Sequence, residues 1–265
     1  MFNKREKVLW NKNIGSSYYS IGLTCEKEYV YACPGQFVMI GIPDRRTPLL
    51  SRPFSIHNLI YANGFVEGIE ILYKVVGEST KNLSKAKKND SIQVLGPLGK
   101  GFSVPDNARK IGIVAGGIGV APMLFLVSQL ELQGFDFSGS TLFLGGKNSS
   151  DILCRNKLAD YGIRVEVTTD DGSEGGKGLV TDLLEFASEN RSFDIIFACG
   201  PVAMLKAVAK LSEIHHMLCQ ISIETIMACG MGVCLGCAVE TNNINTGYLH
   251  ACVDGPVFDS KIIKL

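Results

Sequence analysis

The first hundred residues alternate between apolar and polar positions in short runs that turn residues separate. A period of two is typical of β-strands. The runs predict six strands, Lys7–Trp10, Tyr18–Cys25, Gln36–Ile42, Phe54–Leu59, Gly68–Val76 and Ser91–Leu95, with one helix at about Ser79–Lys87. Six short strands favour a closed antiparallel barrel, because closure removes the unpaired edges of a small sheet.

Near residue 108 the pattern changes to apolar strands that alternate with helices. The predicted strands are Ile111–Ala115, Thr141–Leu144, Arg164–Thr168, Asp194–Ala198 and Cys219–Ile223. The predicted helices are Pro122–Gln133, a segment from about Asp151 with Ser150 as N-cap, Asp182–Ser188 with Thr181 as N-cap, and Ala203–Leu211. Such alternation predicts a parallel sheet that is covered on both faces.

The last forty residues follow neither period and are dense in glycine and cysteine. A segment this short cannot bury enough apolar surface to fold on its own core, so we expect it to need an additional cross-link. The chain is therefore predicted to comprise a β-barrel over 1–104, an α/β domain over 105–223 and a small C-terminal segment over 224–265.

Charge and composition narrow the class of protein further. The 26 basic and 26 acidic residues cancel without a long run of either sign, which argues against binding to nucleic acid or an anionic membrane. Apolar runs are all far shorter than the roughly 20 residues of a membrane span, and the N-terminus lacks an apolar signal core. We therefore expect a cytoplasmic protein, in which nine cysteines need an explanation other than disulfides.

The spacing of four cysteines supplies that explanation. Cys229, Cys234 and Cys237 follow a C-x4-C-x2-C pattern, and Cys252 lies fourteen intervening residues further on. This is the spacing of plant-type [2Fe–2S] ferredoxins, and the interspersed glycines allow the backbone to approach the sulfurs. Four thiolates also suit a tetrahedral zinc ion, which stays open as an alternative although zinc sites usually pair two short knuckles.

Two glycine turns follow predicted parallel strands. The sequence from Gly116 to Pro122 joins a strand to a helix, an arrangement that suits the binding of a pyrophosphate. The same residues would also form a tight turn with a purely structural role. A second turn, Cys199–Pro201, ends a later strand at the same carboxyl edge. Because ligands of open α/β sheets bind at that edge, the pair of turns favours nucleotide binding.

In the barrel region, Arg52–Ser55 combines a cation, a rigid backbone, an aromatic ring and a hydroxyl. A flavin dinucleotide needs such groups for its pyrophosphate and its ring. The tetrapeptide alone would equally suit an ordinary strand start with a surface arginine and a core phenylalanine.

Taken together and in this order, Arg52–Ser55, Gly116–Pro122 and Cys199–Pro201 resemble the ferredoxin–NADP reductase superfamily over nearly the whole chain. The cysteine-rich end narrows the resemblance to the electron-transfer subunits of two-subunit, NAD-linked dihydroorotate dehydrogenases. Supporting strings are Leu72–Thr80, Thr169–Ser173, Lys177–Gly178 and Asp254–Phe258.

The resemblance implies a flavin-binding barrel, an NAD-binding domain and a [2Fe–2S] segment. It implies FAD contacts by Arg52, Pro53, Phe54, Ser55, Leu72, Tyr73, Lys74, Gly77, Ser79 and Thr80. It implies that Gly117, Gly119, Cys199, Gly200 and Pro201 face the exchangeable NAD. It implies that Cys229, Cys234, Cys237 and Cys252 hold the cluster.

The same resemblance implies a role in pyrimidine biosynthesis. Electrons would pass from FMN on a separate dihydroorotate dehydrogenase catalytic subunit through the cluster and FAD to NAD+, in a complex with two copies of each chain. No catalytic base is expected on this chain. The alternative function is a subunit that links NAD(P)H to ferredoxin or to a sulfide- or polysulfide-reducing partner; a zinc-binding scaffold with an empty barrel is a further alternative.

Overall fold

The computed structural model describes residues 2–43, 49–190, 192–242 and 247–265. Its N-terminal part is one antiparallel sheet of seven strands. They are β1 Phe2–Gly15, β2 Tyr18–Thr24, β3 Phe37–Gly41, β4 Arg52–Ser55, β5 Asn58–Ala62, β6 Phe65–Lys74 and β7 Ser91–Leu98. Their order across the sheet is β4-β3-β7-β1-β2-β6-β5.

Six predicted strands become seven because the predicted strand Phe54–Leu59 is two strands at opposite edges of the sheet. The N–H of Ile56 donates to Gln36 beside β3, whereas the N–H of His57 donates to Glu70 in β6. The chain thus crosses between the two edges within two residues. Among the described residues no ladder joins β4 to β5, so the predicted closed barrel is a half-barrel.

The second part of the chain forms a seven-stranded sheet in the order β11-β10-β9-β8-β12-β13-β16. Its strands are β8 Ile111–Gly116, β9 Thr141–Gly146, β10 Arg164–Thr169, β11 Gly176–Lys177, β12 Ile195–Cys199, β13 Leu218–Ser222 and β16 Val257–Asp259. All pair in parallel except β16, which lies antiparallel to β13. The predicted parallel sheet is confirmed, with an edge strand that no periodicity in the last forty residues had indicated.

Helices cover both faces of this sheet: α2 Ala121–Leu132 and α3 Arg155–Ala159 pack into one buried cluster, and α4 Val180–Asn190 and α5 Val202–Ile214 pack into the other. Helix α1 Glu78–Leu83 instead packs into the core of the half-barrel. Helix α1 ends four residues before the predicted end, because residues 84–86 continue it only as turns. In the described part of the chain, no helix is long and apolar enough to cross a membrane.

Two predicted N-caps are wrong. Ser150 does not start a helix; its N–H instead donates to Asn148, which caps a short 3-10 turn, and α3 begins only at Arg155. Thr181 lies inside α4, which begins one residue earlier, while the carboxylate of Asp182 accepts the N–H of Leu179 at 3.0 Å. In both places a side chain other than the predicted one satisfies the free N–H groups of the turn.

The C-terminal segment packs onto the rest of the molecule. It contains a small antiparallel ribbon, β14 Ala238–Glu240 with β15 Tyr248–His250, before β16. Cys237 and Cys252 share one buried hydrophobic cluster with Phe37 and Met39 of β3. The segment therefore belongs to a core that the half-barrel and the parallel sheet also line.

Candidate functional site

A cleft of about 500 Å³ lies where the half-barrel, the parallel sheet and the C-terminal segment meet. All ten residues expected to contact FAD line it. They are Arg52, Pro53, Phe54, Ser55, Leu72, Tyr73, Lys74, Gly77, Ser79 and Thr80. The structure thus brings together two sequence strings, from the start of β4 and from the end of β6, that lie about twenty residues apart.

The barrel side of the cleft is an aromatic wall. Phe54 meets Tyr73 edge to face, with ring centroids 6.0 Å apart, and Tyr19 stacks on Tyr73 at 5.6 Å. The Tyr73 hydroxyl donates to Asn11 at 3.0 Å, which fixes the ring. Such a wall offers the flat apolar surface that a flavin ring requires.

Unpartnered hydroxyls mark the polar parts of the cleft. Within the described ranges, the hydroxyls of Ser79 and Thr225 are buried without a hydrogen-bond partner, and both residues line the cleft. By contrast, the Thr80 hydroxyl is already engaged with the backbone of Val76 and Gly77. Since buried polar groups are nearly always satisfied, the two free hydroxyls fit a polar ligand in this cleft.

Sequence reasoning missed the cleft residues that lie outside every quoted string, namely Phe37, Ser222, Ile223, Glu224, Thr225 and Met227. Other lining residues lie within quoted strings but received no individual role, namely Val76, Glu78, Ile118, Ala121, Pro122 and Pro256. Ser222 ends β13 and residues 223–225 follow it at the carboxyl edge of the sheet, and that position was the available signal.

The two glycine turns of the parallel sheet contact each other. A Cβ on Gly119 would lie 2.1 Å from the carbonyl oxygen of Cys199, so only glycine permits this approach. Gly117 has a φ of +53°, a backbone conformation that glycine adopts readily. Because β8 and β12 are neighbours at the point where the strand order reverses, the turns lie where nucleotides bind in such sheets.

Of the five residues expected at NAD, the structure places one in the cleft. Cys199 lines it, whereas Gly117, Gly119, Gly200 and Pro201 lie outside its wall. Burial, with a further contribution from the Glu224 carboxylate, raises the pKa of Cys199 to about 12. Its thiol is therefore protonated at neutral pH and is a neutral part of the wall.

The four predicted cysteine ligands lie on either side of the β14–β15 ribbon. Residues 229–237 and Cys252 are together called the cysteine loop. The sulfurs of Cys237 and Cys252 are 3.2 Å apart and buried. The Cys229 sulfur accepts the N–H of Cys234 at 3.4 Å and of Met231 at 3.5 Å. Backbone N–H groups aimed at sulfur are what an iron–sulfur site needs, because they stabilise thiolate charge.

The thiols of Cys229 and Cys252 differ in their pKa. The N–H group of Met231, assisted by that of Cys234, lowers the pKa of the Cys229 thiol to about 6. Burial raises the pKa of Cys252 to about 12, although the N–H of Gly232 reaches its sulfur at 3.2 Å. Cys229 is thus poised as a thiolate, whereas Cys252 needs a bound cation to lose its proton.

Among the residues that the structure describes, no group of three or more His, Cys, Asp or Glu side chains is arranged to hold a single metal ion.

Comparisons with known proteins agree with this geometry. Residues 224–264 match the iron–sulfur cluster binding domain of dihydroorotate dehydrogenase B, and residues 113–210 match the oxidoreductase NAD-binding domain. The chain is 39% identical to the dihydroorotate dehydrogenase B (NAD(+)) electron transfer subunit of Caldanaerobacter subterraneus, over 96% of this chain and 95% of that one. It is also 39% identical to the subunit of the same name from Clostridium acetobutylicum, over 96% and 94%.

Solved structures show the same fold. An NADH-dependent reduced ferredoxin–NADP oxidoreductase, studied for flavin-based electron bifurcation, superposes with a TM-score of 0.85 at 27% identity, over 98% of this chain and 89% of that one. A ferredoxin–NADP+ reductase from Neisseria gonorrhoeae with bound FAD and NADP gives 0.66 at 18% identity, over 80% and 91%.

The fold and the site define an oxidoreductase of the ferredoxin–NADP reductase class with an added iron–sulfur segment. The chain belongs to the family of electron-transfer subunits of the NAD-linked dihydroorotate dehydrogenase B. This confirms the predicted family, fold class, iron–sulfur and NAD chemistry, and favours the pyrimidine function over the ferredoxin and sulfide alternatives. The name of these relatives implies a separate catalytic subunit as partner.

Proposed function

We propose that this chain carries electrons from the FMN of a dihydroorotate dehydrogenase catalytic subunit through a [2Fe–2S] cluster and FAD to NAD+. The observation that carries the proposal is that the cleft and the cysteine loop share one packed wall. Met227 lines the cleft two residues before Cys229. Gly230 lies against Met39, whose partner across the β-ladder is Pro53 in the cleft wall.

FAD is the ligand that the cleft fits. Phe54 and Tyr73 offer the apolar face, Arg52 and Lys74 the positive charge, and Ser79 a hydroxyl that lacks a partner in the described chain. When bound, a flavin supplies the conversion between two-electron and one-electron transfer, and the protein supplies its position.

The cluster would be held by the thiolates of Cys229, Cys234, Cys237 and Cys252. The close approach of the Cys237 and Cys252 sulfurs and the N–H of Cys234 at the Cys229 sulfur support this ligand set. Exposure differs along the loop, since Cys234 is exposed and Cys252 is buried. The exposed end is therefore the end at which electrons would enter.

NAD would bind at the carboxyl edge of β8 and β12, on the turns that contain Gly117, Gly119 and Cys199–Pro201. Their mutual contact and the neighbouring cleft support this placement. We further propose that the barrel, the NAD-binding domain and the cluster segment divide at about residues 104 and 223.

An apolar rim around the cysteine loop supports a protein partner at this end. Its exposed side chains are Ile226, Met231, Val233, Leu235 and Val253. Exposed apolar groups clustered in this way mark contact sites between proteins. We propose that the FMN-containing catalytic subunit covers them, with two copies of each chain in the complex.

Free thiols support a cytoplasmic location. All nine cysteines are unpaired, including the exposed Cys33. Such thiols persist in a reducing compartment.

The test is anaerobic co-expression with a dihydroorotate dehydrogenase catalytic chain, followed by purification and analysis of iron, acid-labile sulfide, FAD and FMN. We expect a complex that forms orotate from dihydroorotate only when NAD+ is present. The catalytic chain purified alone is the control and should lack NAD-dependent activity. A complex without iron or FAD, or the absence of a complex, would contradict the proposal.

A further inference from the structure

A carboxylate from the nucleotide-binding sheet reaches the half-barrel beside the cleft. Asp151 ends the short 3-10 turn after β9, and its Oδ1 accepts the Tyr18 hydroxyl at 2.5 Å. The same oxygen accepts the Lys74 ammonium at 3.2 Å. Its second oxygen accepts the N–H of Lys147 at 3.1 Å, so the carboxylate is held from three directions.

At neutral pH, Lys74 is protonated and Asp151 is ionised. The Tyr18 hydroxyl, followed by the Asp151 carboxylate, raises the pKa of Lys74, whose ammonium also lies 4.7 Å from the centre of the Tyr18 ring. Burial acts to raise the pKa of Asp151, but hydrogen bonds from Tyr18 and Lys74 outweigh it and hold this pKa below its usual value. Asp151 is therefore an anion paired with a cation.

The Asp151 end of this ion pair is shielded from water, whereas the Lys74 end is partly exposed. The Asp151 side chain is 12% exposed, that of Lys74 is 36% exposed, and Tyr18 is almost wholly buried. Lys74 lines the cleft. A charge in such a position acts on a ligand in the cleft with less screening by water than an exposed charge would.

The loop that carries Asp151 is also tied to the edge where NAD is proposed to bind. The N–H of Ser149 donates to the Ser173 hydroxyl at 2.8 Å, and the N–H of Asp171 donates to the carbonyl of Lys147 at 3.3 Å. On the other side, the Tyr18 hydroxyl is the nearest atom to the open side of Gly117, 3.9 Å from where a Cβ would lie. Asp151 thus connects the loops after β9 and β10 to the cleft.

We propose that Asp151 is a positioning residue for the flavin: it fixes Lys74 in the cleft wall and partly cancels the Lys74 charge, which would keep the flavin reduction potential low enough for transfer to NAD+. The inference rests on the proposed occupancy of the cleft by FAD. A flavin gains negative charge on reduction, so a neighbouring carboxylate disfavours the reduced form and a neighbouring ammonium favours it.

The test is the flavin midpoint potential of the anaerobically purified complex in the D151N variant, measured by spectroelectrochemistry without nucleotide. We expect a positive shift that corresponds to roughly a tenfold change in the ratio of reduced to oxidised flavin, about 30 mV for two electrons. D136N is the matched control: it also removes one aspartate of this part of the chain, but Asp136 is engaged with Ser138, away from the cleft. Its potential should equal that of the wild type.

Two further variants separate the charge of Asp151 from its structural contribution. D151E keeps the charge, so its potential should differ from that of the wild type by less than a third of the shift seen in D151N. K74M removes the opposing ammonium and should shift the potential in the negative direction. Equal shifts in D151N and D151E, or a positive shift in K74M, would overturn the inference. A wild-type protein without FAD would instead refute the proposed function itself.

Discussion

The flavin cleft and the cysteine loop are built in different ways. Residues that line the cleft come from sequence positions between Phe37 and Pro256 and stand on strands, helices and connections that pack into the buried cores of both sheets. The four thiols instead lie within residues 229–252, where backbone N–H groups and one buried sulfur pair position them. Packing therefore shapes the cleft before any ligand binds, whereas the loop depends on its metal centre for cohesion.

The sharpest way to break this comparison is to remove one thiol. C252S should abolish iron and sulfide binding, because a hydroxyl does not replace a buried thiolate ligand, while leaving FAD bound in the preformed cleft. Metal analysis and the visible spectrum of the anaerobic protein measure both. C33S, at an exposed cysteine outside the loop, is the control and should keep its iron. Loss of FAD together with iron would show that the cleft needs the cluster.

A second test acts where the two regions touch. Met39 is 1% exposed, and Gly230 of the cysteine loop packs on it. M39A should lower the free energy of unfolding by about 2–5 kcal/mol, since a large side chain leaves a cavity. M39L conserves volume and should cost less than about 1.5 kcal/mol. Urea titration under nitrogen gives these values. Equal losses in both variants would mean that Met39 contributes more than packing.

A third test concerns the cleft alone. T225V removes a buried hydroxyl that lacks a protein partner, so the FAD-free protein should be as stable as the wild type or more so. Its FAD affinity should fall about two- to tenfold, the equivalent of one hydrogen bond. Fluorescence titration of flavin-stripped protein checks this. S212A is the control, because it also removes a buried hydroxyl but lies away from the cleft. Equal FAD affinities in T225V and wild type would exclude a contact with the ligand.

The smallest effect is a pH dependence on the cleft side. Burial lowers the pKa of His57, whose Nδ1 lies 2.6 Å from the carbonyl oxygen of Ala121, a residue of the cleft wall. The native state therefore keeps this ring neutral at a pH where the unfolded chain binds a proton. Stability should be constant above about pH 6.5 and fall below it, by at most about 1.4 kcal/mol per pH unit.

H57N should flatten this slope, whereas H216N, at an exposed histidine, should leave it unchanged. Chemical unfolding between pH 5 and 8 measures both variants. An unaltered slope in H57N would assign the acid sensitivity to other groups.

Sequence patterns predicted the parts of the molecule that local chemistry determines. Apolar runs of fixed period identified β8 to β10, β12 and β13, because strands buried on both faces leave that signature. Cysteine spacing identified the loop, since the ligands of one centre must lie within reach of each other. The string Arg52–Ser55 identified one wall of the cleft, which the structure joins to Leu72–Thr80.

What the sequence did not reveal depends on tertiary contacts. The division of Phe54–Leu59 into β4 and β5 follows from hydrogen bonds to two strands that are distant in sequence. The approach of residues 222–227 to the cleft depends on how the C-terminal segment folds back, which no local period encodes. Nothing in the sequence distinguishes Asp151 from the other acidic residues. Only the folded chain shows that it contacts Lys74.

Strand β16 has a consequence for how the chain could be divided. Ile221 and Ser222 of β13 bond to Phe258 and Val257, so the tail that follows the cysteine loop forms the rim of the nucleotide-binding sheet. A chain shortened at residue 223 would leave that rim bare, and bare strands recruit other chains into aggregates. The cysteine-rich tail therefore also covers an edge of the nucleotide-binding sheet. Removing it would expose that edge, so the tail is not an independent module that can be cut off without harm to the reductase.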